Sequence, residues 1–189
     1  MSKEQTKPKI RRKLAHSLDG QIPVRLTRSV APDEREEGIV RKLGEDWVLL
    51  VKLRDGAYFN GYMILRIADL EKVKLKRKFM PFIESRTPAA PQLNLDDIDL
   101  GSAGSIYATA SAAAPLILLY EEVRAPDQLW IGTVVELRRK SAWIHMINPN
   151  ARWYDNVVNV RFKHLTRIDL HSDYDRALLY VAGPETEAS

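Results

Sequence analysis

The chain repeats itself, and that repeat restricts its possible folds more than any other feature. Ala31, Pro32, Asp33, Gly38, Val40 and Leu43 recur as Ala125, Pro126, Asp127, Gly132, Val134 and Leu137, at a constant offset of 94. After a one-residue insertion the offset becomes 95, and Arg66, Leu70 and Leu75 recur as Arg161, Leu165 and Leu170. Similar residues fill the gaps: Leu49 with Trp143, Phe59 with Trp153, Val73 with Ile168, and Phe79 with Tyr174. Ordered matches interrupted by a single gap identify a duplicated unit.

Each unit reads as five short β-strands. IPVRLTRS and PLILLYEEV are the first strands, each followed by a loop that holds Ala-Pro-Asp, because proline fixes φ and cannot donate to a ladder. Gly38 and Gly132 then open a second strand, where glycine permits a bend or bulge. DWVLLVKL and SAWIHMI are the third strands, and the turns RDG and NPN lead into fourth strands that include GYMILRI and VVNVRF. ADLEKV and KHLTRI predict a single helical turn before a last short strand. In WVLLVKL the apolar residues do not alternate with polar ones, so both faces of that strand should be covered.

Composition shifts sharply between the units. SRTPAAPQ is a Pro-rich linker, and residues 100–114 predict a helix with Asp99 or Ser102 as N-cap and Pro115 as its stop. A second helix is expected in HSDYDRALLYVAGP, with Ser172 as cap, Asp173 and Asp175 in the first turn and Gly183-Pro184 as terminator. Tyr174, Leu178 and Val181 would share its buried face.

The expected partition is a basic N-terminal arm (1–20), a first barrel (21–84), a linker with a helix (85–115), a second barrel with a C-terminal helix (116–183) and a tail (184–189). Five short strands with one helical turn before the last give the layout of a small SH3-like or Sm-like barrel. The fold class is therefore mainly β: two tandem small barrels from an internal duplication. A unit this small buries little surface alone, so two copies packing together would gain stability.

The runs GEDWVLLVKL…DGAYFNGYMILRIADLEKV and WIGTVVEL…RFKHLTRIDLHSDYDRALLYVAG resemble a class of uncharacterised bacterial proteins with two small barrels in tandem. The resemblance implies a fold and brings no activity with it. The Asp-x-x-x-Asn of the uridine pocket of true Sm proteins has no recognisable counterpart here, so uridine recognition of that type is not implied.

Cysteine is absent, which excludes disulfides, thiolate metal sites and a cysteine nucleophile. No run of apolar residues is long enough to span a bilayer, and the basic N-terminus is not followed by an apolar segment of the secretory kind. A cytoplasmic protein without a membrane partner is expected. Residues 1–20 and 21–80 each carry a net +4, whereas 81–115 carry −3 and 116–189 carry −1. The first half is thus the part suited to a phosphate backbone.

Catalytic chemistry finds no support. His145, His164 and His171 lack ligand spacing, LDDIDLG fails as a calcium loop at its glycine and its twelfth position, and GSAGS is neither a nucleophile elbow nor a phosphate loop. No cofactor and no metal are expected, and the chain is read as non-enzymatic.

Binding surfaces are better supported. DGAYFNGY and NARWYDN each place adjacent aromatics near a hairpin tip, and strand alternation sends Tyr58 and Phe59, or Trp153 and Tyr154, to opposite faces. One of each pair should lie outward beside Arg54 or Arg152, as a stacking platform for a base or an anchor for a peptide. The alternative is that the outward ring packs on the linker helix or on the other barrel. In KVKLKRK, alternation puts Lys72, Lys74, Lys76 and Lys78 on one strand face, where they could hold phosphates or guard an edge against aggregation.

The leading expectation is a first barrel that binds RNA or another single-stranded nucleic acid. Arg11, Arg12, Lys13, Lys74, Lys76 and Lys78 would hold phosphates, Tyr58 or Phe59 would stack, and Arg54 would sit beside them. Arg152, Trp153 and Tyr154 would form the corresponding surface of the second barrel. The alternative is a protein-interaction or self-association module that uses barrel edges for strand addition.

Overall fold

In the computed structural model, which describes residues 6–86 and 93–185, the chain divides into two units, Met1–Leu95 and Asp96–Ser189. Both are mainly β, and their ladders are antiparallel. The first unit contains α1 (Lys7–Gly20), β1 (Val24–Arg28), β2 (Ala31–Leu43), β3 (Trp47–Arg54), β4 (Tyr58–Arg66), β5 (Leu70–Leu75) and α2 (Met80–Ser85). Its strand order is β5-β1-β2-β3-β4. The second unit contains α3 (Ala103–Ala113), β6 (Ile117–Tyr120), β7 (Leu129–Leu137), β8 (Ser141–Ile147), β9 (Trp153–Arg161), β10 (Arg167–Leu170) and α4 (Asp173–Ala182), in the order β10-β6-β7-β8-β9.

The two units share more than strand order. The β2–β3 ladder shifts register between Val40 and Lys42, and the β7–β8 ladder shifts between Val134 and Glu136, 94 residues on. The β3–β4 shift between Val51 and Leu53 likewise matches the β8–β9 shift between His145 and Ile147. A one-turn 3₁₀ helix precedes the last strand in both, at Ile67–Asp69 and Phe162–His164. Gly38 and Gly132 occupy the same tight place. A Cβ there would lie 2.6 Å from the Val51 carbonyl oxygen or 2.1 Å from that of His145, so the neighbouring strand passes where only glycine leaves room.

The core of the first unit is built from Val24, Leu26, Val40, Val48, Leu50, Met63, Leu65 and Val73, with Ile10 and Leu14 of α1 laid against them. Trp47 through Val51 are all buried, as the unbroken apolar run requires. In the second unit Leu116, Leu118, Ile131, Ile147 and Leu178 cluster, with Trp153, Leu179 and Ala182 packed around them.

Four expectations change. Lys7–Gly20, within the expected basic arm, is a helix: Thr6 precedes it, Pro8 lies in its first turn, and Ile10, Leu14 and Ser17 recur every three to four residues on a buried stripe. Ala31-Pro32-Asp33 opens β2 instead of forming a loop, which proline tolerates because the strand start is exposed there. In the second unit Ala125-Pro126-Asp127 does lie in a loop. The last strand of the first unit ends at Leu75, since Met80 N donates to the Arg77 carbonyl (3.1 Å) and the chain turns into α2. On α4, Leu178 is buried as expected, but Tyr174 and Val181 are exposed, and Asp175, Leu179 and Ala182 face inward in their place.

The helix caps are as read from sequence: Ser172 accepts from Asp175 N, and Ser102 accepts from Ser105 N. Most of the Pro-rich linker start, residues 87–92, lies outside the described residues, as do 1–5 of the N-terminal segment and 186–189 of the tail. Among the described residues no helix is long and apolar enough to cross a membrane.

Candidate nucleic-acid interface

The basic surface of the first unit is assembled by α1 and β5. Burying Ile10, Leu14 and Ser17 against the sheet leaves Lys9, Arg12, Lys13 and His16, at i, i+3, i+4 and i+7, as an adjacent stripe on the same helix. The Lys13 ammonium reaches across to donate to the Val73 carbonyl on β5 (2.7 Å). Desolvation pushes the pKa of Lys13 down, and the nearby charges of Lys9, Lys72, Arg12 and Lys74 push it the same way. At the end of the stripe, Arg77 donates to Nε2 of His16 (3.0 Å).

Strand pairing fixes the neighbours of this face. Lys74 stands opposite Arg25 on β1, and Arg25 stands opposite Glu37 on β2 and is ion-paired with it. Lys74 itself is exposed and has no hydrogen-bond or ion-pair partner among the described residues, and the same holds for Arg12. These two cations can meet a phosphate without giving up an internal contact.

The expected site residues therefore separate. Arg12, Lys13 and Lys74 come together. Arg11 does not join them, because its guanidinium donates to the Gly44 carbonyl (3.0 Å) and to that of Glu45, pinning the β2–β3 turn. Lys76 and Lys78 lie past the end of β5, so the four-lysine face reduces to Lys72 and Lys74. Lys76 N donates to the Pro23 carbonyl (2.6 Å), and Lys78 sits over the Phe79 ring (5.7 Å). Lys9, His16 and Arg77 were missed, although the i, i+3, i+4, i+7 spacing of the α1 group was legible once a helix was admitted, whereas Lys72 was already part of the expected lysine face.

The aromatics form a second group. Tyr58 and Phe59 point to opposite faces: Phe59 packs with Ile39, Leu53 and Ile83, while Tyr58 is exposed. The Tyr58 ring meets Phe82 of α2 edge-on at 5.5 Å, and the Arg86 guanidinium lies 5.8 Å from the one ring and 5.7 Å from the other. Arg54 lies near Asp55 (3.8 Å) in the same hairpin. The outward ring thus packs partly on a helix, yet it leaves an aromatic edge beside a cation.

In the second unit Trp153 belongs to the core cluster and stacks on His145 (5.1 Å), while Tyr154 and Arg152 are exposed. His145 is buried, with Nδ1 facing the Glu185 carboxylate (2.6 Å) and Nε2 facing the Tyr154 carbonyl (2.6 Å). That histidine fastens strand and C-terminal segment to one another. The chain matches no family model, no curated protein and no solved structure.

Proposed function

We propose that the chain is a non-enzymatic binding protein made of two small SH3-like/Sm-like barrels that arose by duplication, and that its first unit holds single-stranded RNA. Coincident register shifts, 3₁₀ turns and close-approach glycines support the duplication, because each is a backbone feature with its own sequence cause. The observation that carries the functional reading is the Lys13 environment: its ammonium reaches the Val73 carbonyl on β5, and Lys9, Arg12, Lys72 and Lys74 lie close enough to push its pKa down. Such a cluster costs energy in the free protein, and a polyphosphate strand relieves that cost while releasing counterions. The Tyr58–Phe82–Arg86 group supplies a place for an unstacked base.

The test is fluorescence anisotropy of labelled single-stranded RNA and DNA against the full chain and against Arg12→Glu/Lys74→Glu. Salt-sensitive binding that the variant loses supports this reading; no binding at low salt refutes it.

A second reading, self-association or strand addition, is favoured by one observation. Among the described residues of its unit β9 pairs with β8 alone, and it presents Tyr154 and Val157 outward. Such association would persist at high salt and raise the molecular mass in light scattering, which the first reading does not require.

A further inference from the structure

The second unit carries a cationic cleft that the charge balance of its sequence conceals. The cleft, about 810 Å³ in volume, opens where the β7–β8 hairpin, the turn after β9 and the start of α3 meet. Backbone geometry draws these three together. Arg138 N donates to the Ser141 carbonyl (2.8 Å) to close the hairpin, and Phe162 N donates to the Lys140 carbonyl (3.1 Å) to tie the turn to the hairpin tip. The Phe162 ring stacks on Tyr107 of α3 (5.0 Å), and Gly104 lets the helix start lie against that ring. A Cβ at Gly104 would stand 3.2 Å from it.

Four cations line the cleft: Arg139, Lys140, Arg161 and Lys163. Among the described residues none of their side chains has a hydrogen-bonding or ion-pair partner and no carboxylate lines the cleft. The nearest acid on the hairpin, Glu136, is taken by Arg138 (2.8 Å). Beside the cations, Ala103 and Gly104 begin α3. Ser102 caps Ser105 N and no acidic side chain occupies the first turn, so the Ala103 and Gly104 amides are left for an outside acceptor.

The equivalent hairpin of the first unit is built alike and charged oppositely. Gly44 N donates to the Trp47 carbonyl (2.8 Å) and Ile67 N to the Asp46 carbonyl (2.7 Å), at the same offsets of 94 and 95. There Glu45 and Asp46 stand where the second unit has Arg139 and Lys140, and the Arg11 guanidinium supplies the positive charge. A backbone kept and a charge reversed mark a surface that has acquired its own partner.

We propose that this cleft binds a phosphomonoester, its dianionic phosphate held by Arg139, Lys140, Arg161 and Lys163 with the Ala103 and Gly104 amides. A terminal phosphate offers three oxygens to several donors at once, which four cations converging on one recess match better than a passing diester does. The volume is large for phosphate alone and suits a ligand with a body of nucleotide size. That ligand is either a free mononucleotide or the 5′-phosphorylated end of a strand. The site lies wholly within the second unit and stands independently of RNA binding by the first.

The test uses the full chain in ¹⁵N–¹H correlation spectra, titrated with 5′-AMP, adenosine and inorganic phosphate. Shifts centred on Ala103 and Gly104 with 5′-AMP, weaker ones with phosphate and none with adenosine are expected. Arg139→Glu/Lys140→Glu should weaken 5′-AMP binding by about tenfold or more. Arg161→Gln/Lys163→Gln, a milder change, should weaken it in the same direction, with melting curves checking that each variant folds. Arg12→Gln/Lys74→Gln in the first unit should leave it unchanged.

Strands with and without a 5′-phosphate then separate the sources. Preference for the phosphorylated end, lost in the Arg139/Lys140 variant, assigns the strand terminus; binding of 5′-AMP with no such preference assigns the free nucleotide. Absence of shifts at Ala103 and Gly104 at millimolar 5′-AMP, equal affinity for adenosine, or binding that survives both cleft variants would overturn the proposal.

Discussion

The number of cations on the α1–β5 face can be counted in solution. Lys13 lies among Lys9, Arg12, Lys72 and Lys74, which makes five groups able to neutralise phosphates. For a single strand, each neutralised phosphate contributes about −0.7 to the slope of log affinity against log salt, so five give about −3.5. Raising monovalent salt fourfold should then weaken binding about 130-fold. Arg12→Gln with Lys74→Gln removes two contributors whose side chains make no internal contact among the described residues. The slope should fall to about −2.1 and the same salt step should cost only about 18-fold. Both positions are exposed, so unfolding in urea should change by no more than about 0.5 kcal/mol. The assay is anisotropy of a labelled RNA across a salt series. An unchanged slope in the double variant would place the strand elsewhere, and a parent slope near zero would remove the electrostatic reading altogether.

Three further outcomes test the fold. Leu14→Ala should cost about 2–5 kcal/mol in urea unfolding, because Leu14 is fully buried in the core of the first unit; an extended, solvated arm would show almost no change. Gly132→Ala should destabilise more than Gly38→Ala, since the added Cβ would meet backbone oxygen at 2.1 Å rather than 2.6 Å, and equal losses in thermal melts would contradict that ordering. Burial raises the pKa of Asp175 above its ordinary 3.8, outweighing the lowering by Ser172. The charged form is therefore penalised in the folded state, and stability is lost as pH rises through the folded value. Asp175→Asn, which keeps an acceptor for Ser172, should be more stable than the parent at neutral pH. That advantage should vanish on acidification below the unfolded value, and a constant difference across pH would refute the assignment.

Backbone features were legible in the sequence where they depend on one or two residues. Pro115 after the α3 segment, Ser102 and Ser172 as caps, and Gly183 after α4 each act locally, and each stands where expected. The repeat made the strands visible twice, so weak signals in one unit were supported by the other. Charge obscured what lies at Lys7–Gly20. Six basic residues in the first twenty suggested an arm, and they outweighed the Ile10, Leu14 and Ser17 stripe that places the segment on the sheet. The lysine row failed for a different reason. Its alternation was correct as far as the strand ran, but strand ends depend on tertiary turns, and the turn through Arg77 and Met80 had no strong local signature.

The same distinction explains why the two units can look alike in backbone and carry opposite charges at one hairpin. A side chain at Gly132 would force two strands apart, and both units carry a glycine and a register shift at corresponding positions. Side chains at a hairpin tip face no such constraint: replacing Glu45 and Asp46 by Arg139 and Lys140 leaves the hydrogen bonds that close the turn intact. Charge can therefore invert at negligible cost to the fold. A net charge taken over the whole second unit hides this, because Glu121, Glu122 and Asp169 are acids buried in its interior and cannot neutralise cations lining a cleft elsewhere on it. What a ligand meets is the local arrangement, four basic groups without an opposing acid, and not the sum over the chain.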